Sequence, residues 1–418
     1  MKEDNTFWDL NRSWKKLQEQ IEKPELPNNP DEIPDDQTDD DTPEVNAPPG
    51  EGIPQDDDDA AINSKLGEPV SPPTEEPEQP QEDGSLKTCG SIFSGIGGWE
   101  FGAKQVGLKP IFAFEFNQNY ADAYKKSHGD HVTVGDVQQT HTSLTHSAVD
   151  VLFASPPCQN FSGAKHRKAQ TIIKQDAKTD VGIYVVKVVE KTNPKVIFIE
   201  NVVAYLNHPD SPLKDIVSQL SEKYHVHTMI IDAHLYGCPT SRKRMLATFV
   251  RKDLYDGPFV PSPTNKVEDA KSWISVVGDL IPKLKPGKVS PWQQDRIDRW
   301  AQMYPAPHPK EMKYPLQISG NNVSATAFKA GKPVKVMRSV DEPSFTIVKS
   351  YQAMEQTRII LEDGTCLVAD PHCFARWQGF PDEVFTNFPD DPKTATEMIG
   401  NAVPPQLCVS VLKQLKSL

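Results

Sequence analysis

Four side chains stand out as able to do chemistry. Cys158 follows the stretch VLFASPP, Glu200 ends KVIFIE, and Arg242 and Arg244 sit in YGCPTSRKR. A thiolate is an intrinsically strong nucleophile. A carboxyl group at a strand end can give or take a proton. Guanidinium groups stabilise charge that builds on an oxygen. Each also has an ordinary alternative. Cys158 could be a small loop filler, Glu200 a helix N-cap or salt-bridge acid, and the arginines phosphate or solvent contacts. Pro156 and Pro157 bear on the first choice. Proline sets φ at about −65° and restricts the residue before it. A turn this rigid aims whatever follows it.

Aiming requires a framework. TCGSIF (88–93), PIFAFEF (110–116), HVTVGD (131–136), VDVLFA (149–154) and KVIFIEN (195–201) read as short apolar strands, and 224–232 and 245–250 continue the series. Helical stretches fall at 98–106 and 118–127, and a third opens at Ser211 and Pro212 and runs to about Tyr224. The alternation predicts a doubly wound α/β sheet. Residues 181–193 stay ambiguous: their β-branched content favours a strand, while their place between two strands requires a crossover helix.

Ligands of such sheets bind at the carboxyl ends of the strands. There the chain places FSGIGG, with Phe93, Gly95, Gly97 and Gly98, where glycines permit a tight turn and close ligand approach. A sharp strand-to-helix turn is the equal alternative. Glu115 and Phe116 follow about 20 residues later, where an acid suits ribose hydroxyls. The acid of the pair Asp136 and Val137 suits the amino group of an adenine.

The 418 residues carry a net charge of −13, but unevenly. Residues 1–86 hold 25 acidic and 6 basic side chains, a net of −19; the remainder is +6. Residues 5–22 space Phe7, Leu10, Trp14, Leu17 and Ile21 as one amphipathic helix, either docked on its own protein or marginal in isolation, or serving partner binding or self-association. The acidic, proline-rich stretch 24–86 has too few apolar side chains to fold and is expected to be disordered. It could serve as a tether or solubility tail, or compete with an anionic partner for the basic body. The division expected is a helix over 1–23, the tail 24–86, a catalytic domain 87–254, a second domain 255–348, and a segment 349–418 that returns to the catalytic domain. Six scattered cysteines without a C-x-x-C pair point to neither a disulfide framework nor a metal site, and to a reduced compartment. No signal-like N-terminus or run of 18 apolar residues is present, so no membrane association is expected and a cytoplasmic location is.

The set FSGIGG, Glu115, Asp136, PCQ (157–159), ENV (200–202), YGCPTSRKR (236–244) and GNAVPP (400–405) resembles the cytosine carbon-5 DNA methyltransferases, across roughly 87–250 and 350–418. The resemblance implies a Rossmann-like methyltransferase sheet with a smaller mixed target-recognition domain. It implies S-adenosylmethionine as methyl donor, lined by Phe93, Gly95, Gly97, Gly98, Glu115, Phe116, Asp136, Val137, Pro157, Asn401 and Val403. It also implies a catalytic set of Cys158, Glu200, Arg242 and Arg244. The chemistry is consistent with those residue types. Carbon 5 of cytosine is a poor nucleophile until a thiolate adds to carbon 6. Only a few per cent of a thiol of pKa about 8.5 is ionised at neutral pH. The base must therefore be activated, by a carboxyl group facing N3 and by guanidinium groups at O2.

The implied partner is double-stranded DNA, with a cognate restriction endonuclease if the chain belongs to a restriction-modification system. A monomer and association with the nucleoid of a prokaryote or phage-infected cell are the expectations. The target base must leave the duplex, at a cost of roughly a few kcal/mol. The basic loop 160–179 and the stretch 314–338, with Gly320, Asn321, Asn322, Lys329, Lys332, Lys335 and Arg338, are candidate DNA contacts or merely solvated faces. Thr240 stands where the family has glutamine, and a hydroxyl cannot make the same two-ended contact. Leu361–Val384 lacks the usual arginine-glutamate pair but keeps RWQGFPD. A tRNA cytosine methyltransferase and a silent DNA-binding regulator are the alternatives. A thymidylate synthase would lack both the FSGIGG turn and the ENV strand end.

Overall fold

A computed structural model describes residues 86–144, 148–157, 181–266, 269–303, 312–320 and 335–417. The amphipathic stretch 5–22, the acidic segment, Cys158, the basic loop 160–179 and Asn321 to Lys332 lie outside the described residues.

Seven strands build the main sheet: β1 (Thr88–Ile92), β2 (Lys109–Glu115), β3 (Val132–Val134), β4 (Val151–Ala154), β5 (Val196–Asn201), β6 (Tyr224–Asp232) and β7 (Lys243–Arg251). Their order is β3-β2-β1-β4-β5-β7-β6. The first five are parallel, and β7 runs antiparallel to both β5 and β6. Every residue of β4 and β5 is buried. Such unbroken apolar runs are what a parallel sheet covered on both faces requires.

Helices α1 (Gly98–Gln105), α2 (Gln118–His128), α3 (Tyr184–Thr192), α4 (Leu213–Leu220), α5 (Pro291–Met303), α6 (Pro371–Gln378), α7 (Pro392–Asn401) and α8 (Pro405–Leu412) follow. On one face, α3 and α4 pack Val185, Val189, Leu213 and Ile216 against Ile197 and Ile199. On the other, α1 and α8 pack Trp99, Leu407 and Cys408 against Phe153 and Phe198. The ambiguous segment is therefore helix, after a short 3-10 turn at Val181–Ile183. Its valines are buried at helical spacing, and Asn193 closes it at φ 44°. The topological need for a crossover between parallel β4 and β5 overrides weak β propensity.

Helix α4 stops at Leu220, earlier than the expected Tyr224, because Tyr224 begins β6. The hydroxyl of Ser211 does accept from the Leu213 amide, at 3.3 Å. The C-terminal helix α8 packs on the second face of the sheet. It presses on α1 where a Cβ at Gly102 would lie 2.6 Å from that of Cys408.

The alternation breaks after β7. A second, antiparallel sheet forms from β8 (Lys285–Pro286), β9 (Leu316–Ile318), β10 (Met337–Arg338), β11 (Arg358–Ile360) and β12 (Cys366–Val368), in the order β10-β9-β11-β12-β8. It draws strands from both sides of residue 348. Trp300, Leu316, Ile318 and Met337 form its small core. Among the described residues, no helix is long and apolar enough to cross a membrane. Nor could any group of three or more His, Cys, Asp or Glu side chains there hold a metal ion.

Candidate active site

The reversal of β7 brings distant residues together. Because β7 is antiparallel, its start lies at the same sheet edge as the carboxyl ends of the parallel strands. The register pairs Glu200 with Leu246 and Asn201 with Met245. Alternate residues of a strand share a face. Arg244 therefore stands diagonally from Glu200 on one face, a separation long side chains can bridge. Arg244 Nε is 3.2 Å from Glu200 Oε1, and both side chains are almost fully enclosed. Burial pushes the Glu200 carboxyl above its usual range, while Arg244 and then Arg242 pull it back; the net direction is upward.

Asn201 faces the other way and reaches β4's exit turn. Its Nδ2 donates to the Pro156 carbonyl at 3.0 Å, and its Oδ1 accepts from the Val202 amide at 2.8 Å. The Ser155 amide donates to Ile92 O at 3.4 Å. Pro156 is buried and Pro157 exposed, with Cys158 next in the chain. The turn that precedes the thiol is thus tied to both neighbouring strands, and it lies beside the end of β5.

The exit of β1 is a tight turn with left-handed conformations. Phe93, Gly95 and Gly97 have φ of 55°, 57° and 86°. The Gly95 amide donates to Glu115 Oε2, and the Asn117 amide to Oε1, both at 2.8 Å. Burial raises the Glu115 pKa, and those amides oppose it. Glu115 therefore braces the glycine turn, and each oxygen keeps a second lone pair. Phe116 projects from the same edge, 75% exposed. Asp136 caps the short helix opened by buried Val137, accepting from the Gln138 amide at 2.9 Å. Gly98 packs on the far end of the chain: a Cβ there would sit 2.2 Å from Val403 O. Asn401 Nδ2 donates to the Tyr120 hydroxyl at 2.8 Å.

Arg242 acts on Glu200 through its charge, and its guanidinium donates to backbone carbonyls of two distant segments. Its Nη1 donates to Ile347 O at 2.6 Å, and its Nη2 to Gly400 O at 2.9 Å and Ala402 O at 3.4 Å. The segment before it is zipped to residues 344–346. Ser344 N donates to Pro239 O (2.8 Å), Ser241 N to Ser344 O (2.9 Å), and Thr346 Oγ1 to Ser241 O (2.7 Å). Thr240 belongs to this zipper: its hydroxyl donates to Phe345 O at 2.9 Å, and the residue is fully buried.

A model of the C-5 cytosine-specific DNA methylase family matches residues 88–417. The chain belongs to this family. It is a DNA cytosine-5 methyltransferase, and S-adenosylmethionine is the family's methyl donor. Type II methyltransferase M1.HgaI of Avibacterium volantium is 28% identical over 358 residues, covering 78% of this chain and 97% of that protein. Type II methyltransferase M.Eco47II of Escherichia coli is 27% identical over 348 residues, covering 81% of each. Among solved structures, a DNA modification methyltransferase encoded within an E. coli prophage superposes with a TM-score of 0.50 at 18% identity, covering 80% of this chain and 99% of its own. The DNMT2 protein of Spodoptera frugiperda does so with a TM-score of 0.50 at 20% identity, covering 79% and 99%. At that identity the likeness speaks for the fold.

Within this methyltransferase, Glu200, Arg244 and the 155–157 turn converge on one sheet edge, and the glycine turn, Glu115, Phe116 and Asp136 on its adjoining stretch. Asp232 went unnoticed in the sequence. Its Oδ1 accepts from the Arg242 amide at 2.9 Å and lies 2.8 Å from His234 Nδ1; Oδ2 accepts from Ser241 Oγ at 3.3 Å. Burial alone would raise its pKa, but His234 and the Arg242 amide hold it below the usual range. An acid ending the sixth strand was the available signal, the same signal that marked Glu115 and Glu200.

Proposed function

We propose that this chain methylates cytosine within a specific duplex sequence, as a Type II modification enzyme, through a covalent adduct between Cys158 and carbon 6. The observation that carries the reading is the enclosed Glu200–Arg244 pair beside the braced turn that leads to Cys158. The thiolate of Cys158 adds to carbon 6 of an everted cytosine. As electrons move toward N3, Glu200, inclined by burial to hold its proton, gives that proton to N3. Arg244 donates to O2, where negative charge builds. Carbon 5 is then enamine-like and nucleophilic. Loss of the carbon-5 proton to a base afterwards breaks the carbon 6–sulfur bond and expels the thiolate, and N3 returns its proton to Glu200 as the ring is restored.

The cradle at β1 and β2 fits S-adenosylmethionine. Gly95 has open space where a Cβ would stand, Phe116 offers an uncovered ring for the adenine, and Glu115 has spare acceptor capacity for ribose hydroxyls. Asp136 would meet the adenine amino group beside Val137, and Phe93, Gly97, Gly98, Pro157, Asn401 and Val403 would wall the rest. The donor supplies, when bound, an activated methyl group for carbon 5. Arg242 supports this machinery from outside it. The reading includes action as a monomer in a prokaryotic cytoplasm, with an endonuclease of the same target sequence as its counterpart.

The test uses duplex DNA containing 5-fluorocytosine, which cannot lose its carbon-5 substituent. With S-adenosylmethionine present, the wild-type chain should form an adduct that survives denaturation, and Cys158→Ala none. Label transferred to tRNA but not to DNA would overturn the reading.

A further inference from the structure

Arg242 sits where three segments far apart in sequence meet. One is the turn before β7, the second is the stretch 344–349, and the third is Gly400–Val403. The second and third touch backbone to backbone: a Cβ at Gly400 would lie 2.3 Å from both Lys349 N and Val348 C. The third forms a wall against the glycine turn, with Val403 O pressed onto Gly98. Gln378 Nε2 also holds it, donating to Ala402 O at 2.8 Å, and Tyr120 holds Asn401. A shift of Gly400–Val403 therefore moves the wall on which the cofactor cradle closes.

We propose that Arg242 is a positioning residue that couples the two halves of the site. It ties the Gly400–Val403 wall, which closes on the glycine turn, to the 344–348 segment zipped to the turn before β7, and it does not itself hold the cytosine. A guanidinium is a planar fork with donors at fixed angles, so it can serve carbonyls of two segments at once. A lysine is one point charge on a flexible stem and cannot do so. The inference rests on the proposed cofactor cradle.

The experiment is calorimetric binding of S-adenosylhomocysteine to the full chain, wild type and Arg242→Lys, together with kcat at saturating S-adenosylmethionine. Lysine retains the positive charge near Glu200 but loses the fork. The dissociation constant should rise about tenfold, while kcat falls by less than about tenfold. An unchanged dissociation constant, or a kcat loss beyond about a hundredfold, would place Arg242 on the substrate and overturn the proposal. Failure of the wild-type chain to bind S-adenosylhomocysteine overturns the cradle itself, and the inference with it. If Arg242→Lys does not fold, Tyr120→Phe loosens the same wall from its exposed side. It should show the same rise in dissociation constant, and an unchanged value there overturns the proposal.

Discussion

Glu200 Oε1 and Arg244 Nε lie 3.2 Å apart across two antiparallel strands, and almost no solvent reaches either side chain. Burial outweighs the arginines and disfavours the Glu200 carboxylate, so Glu200→Gln, neutral and nearly isosteric, should change stability little. It should reduce the methylation rate by about 10² to 10⁴, since an amide has no acid proton for N3. The pH profile checks the role of that proton. Glu200's pKa is raised, so its acid form is lost as pH climbs through that raised value. The wild-type rate should carry a descending limb there, and Glu200→Gln should lack it.

Asn201 ties the 155–157 turn to β5 through the Pro156 carbonyl. Asn201→Ala leaves that buried carbonyl without its donor, at a cost of about 1–3 kcal/mol. Trapping on 5-fluorocytosine DNA should slow by more than affinity for S-adenosylhomocysteine falls, since Pro157 of the same turn also walls the proposed cofactor site. Equal losses in both would mean that the turn is not what Asn201 orients.

Gly98 leaves no space for a side chain, since a Cβ would stand 2.2 Å from the backbone oxygen of Val403. A backbone atom cannot swing aside. Gly98→Ala should cost about 1–3 kcal/mol and weaken S-adenosylhomocysteine binding by about tenfold, as read by thermal melting and calorimetry.

Glu100 lies behind the glycine turn, 1% exposed, with one carboxylate oxygen hydrogen-bonded to the Ser91 hydroxyl. Burial pushes its pKa from 4.5 to about 7, against the Ser91 hydrogen bond. A raised carboxyl pKa means that the folded chain holds the proton more tightly than the unfolded one. The stability this brings is complete below 4.5 and lost as pH rises through about 7. Glu100→Gln stays neutral throughout. It should match the wild type at about pH 5 and exceed it at about pH 8.5, by on the order of 3 kcal/mol. Denaturant titrations of both proteins at the two pH values check this; parallel pH dependence would reject it.

Much of the site was legible because its signals are local. Glycines in FSGIGG announce left-handed turns, and Gly95 and Gly97 adopt them. Acids that end apolar runs mark the binding edge of a sheet, and Glu115 and Glu200 stand there. The two arginines of RKR were not separable in this way. Being two apart, they share a face of the chain, and nothing local says which one meets Glu200. Nor does anything local to Thr240 show that its hydroxyl serves Phe345, a partner 105 residues away.

The sequence by itself determined the alternation of strands and helices, the chemical type of each strand end, and through its motifs the reaction. Such features depend on periodicity, turn chemistry and short spacings, which a chain carries without folding. Only the tertiary structure decided that 184–192 is a crossover helix, and that Arg244 pairs with Glu200 while Arg242 clamps Ile347 and Gly400. The reason is physical. These outcomes follow from strand direction, from the register that sets Asn201 opposite Met245, and from close backbone approach between segments more than a hundred residues apart. A one-residue slip in that register would turn Glu200 to the other face.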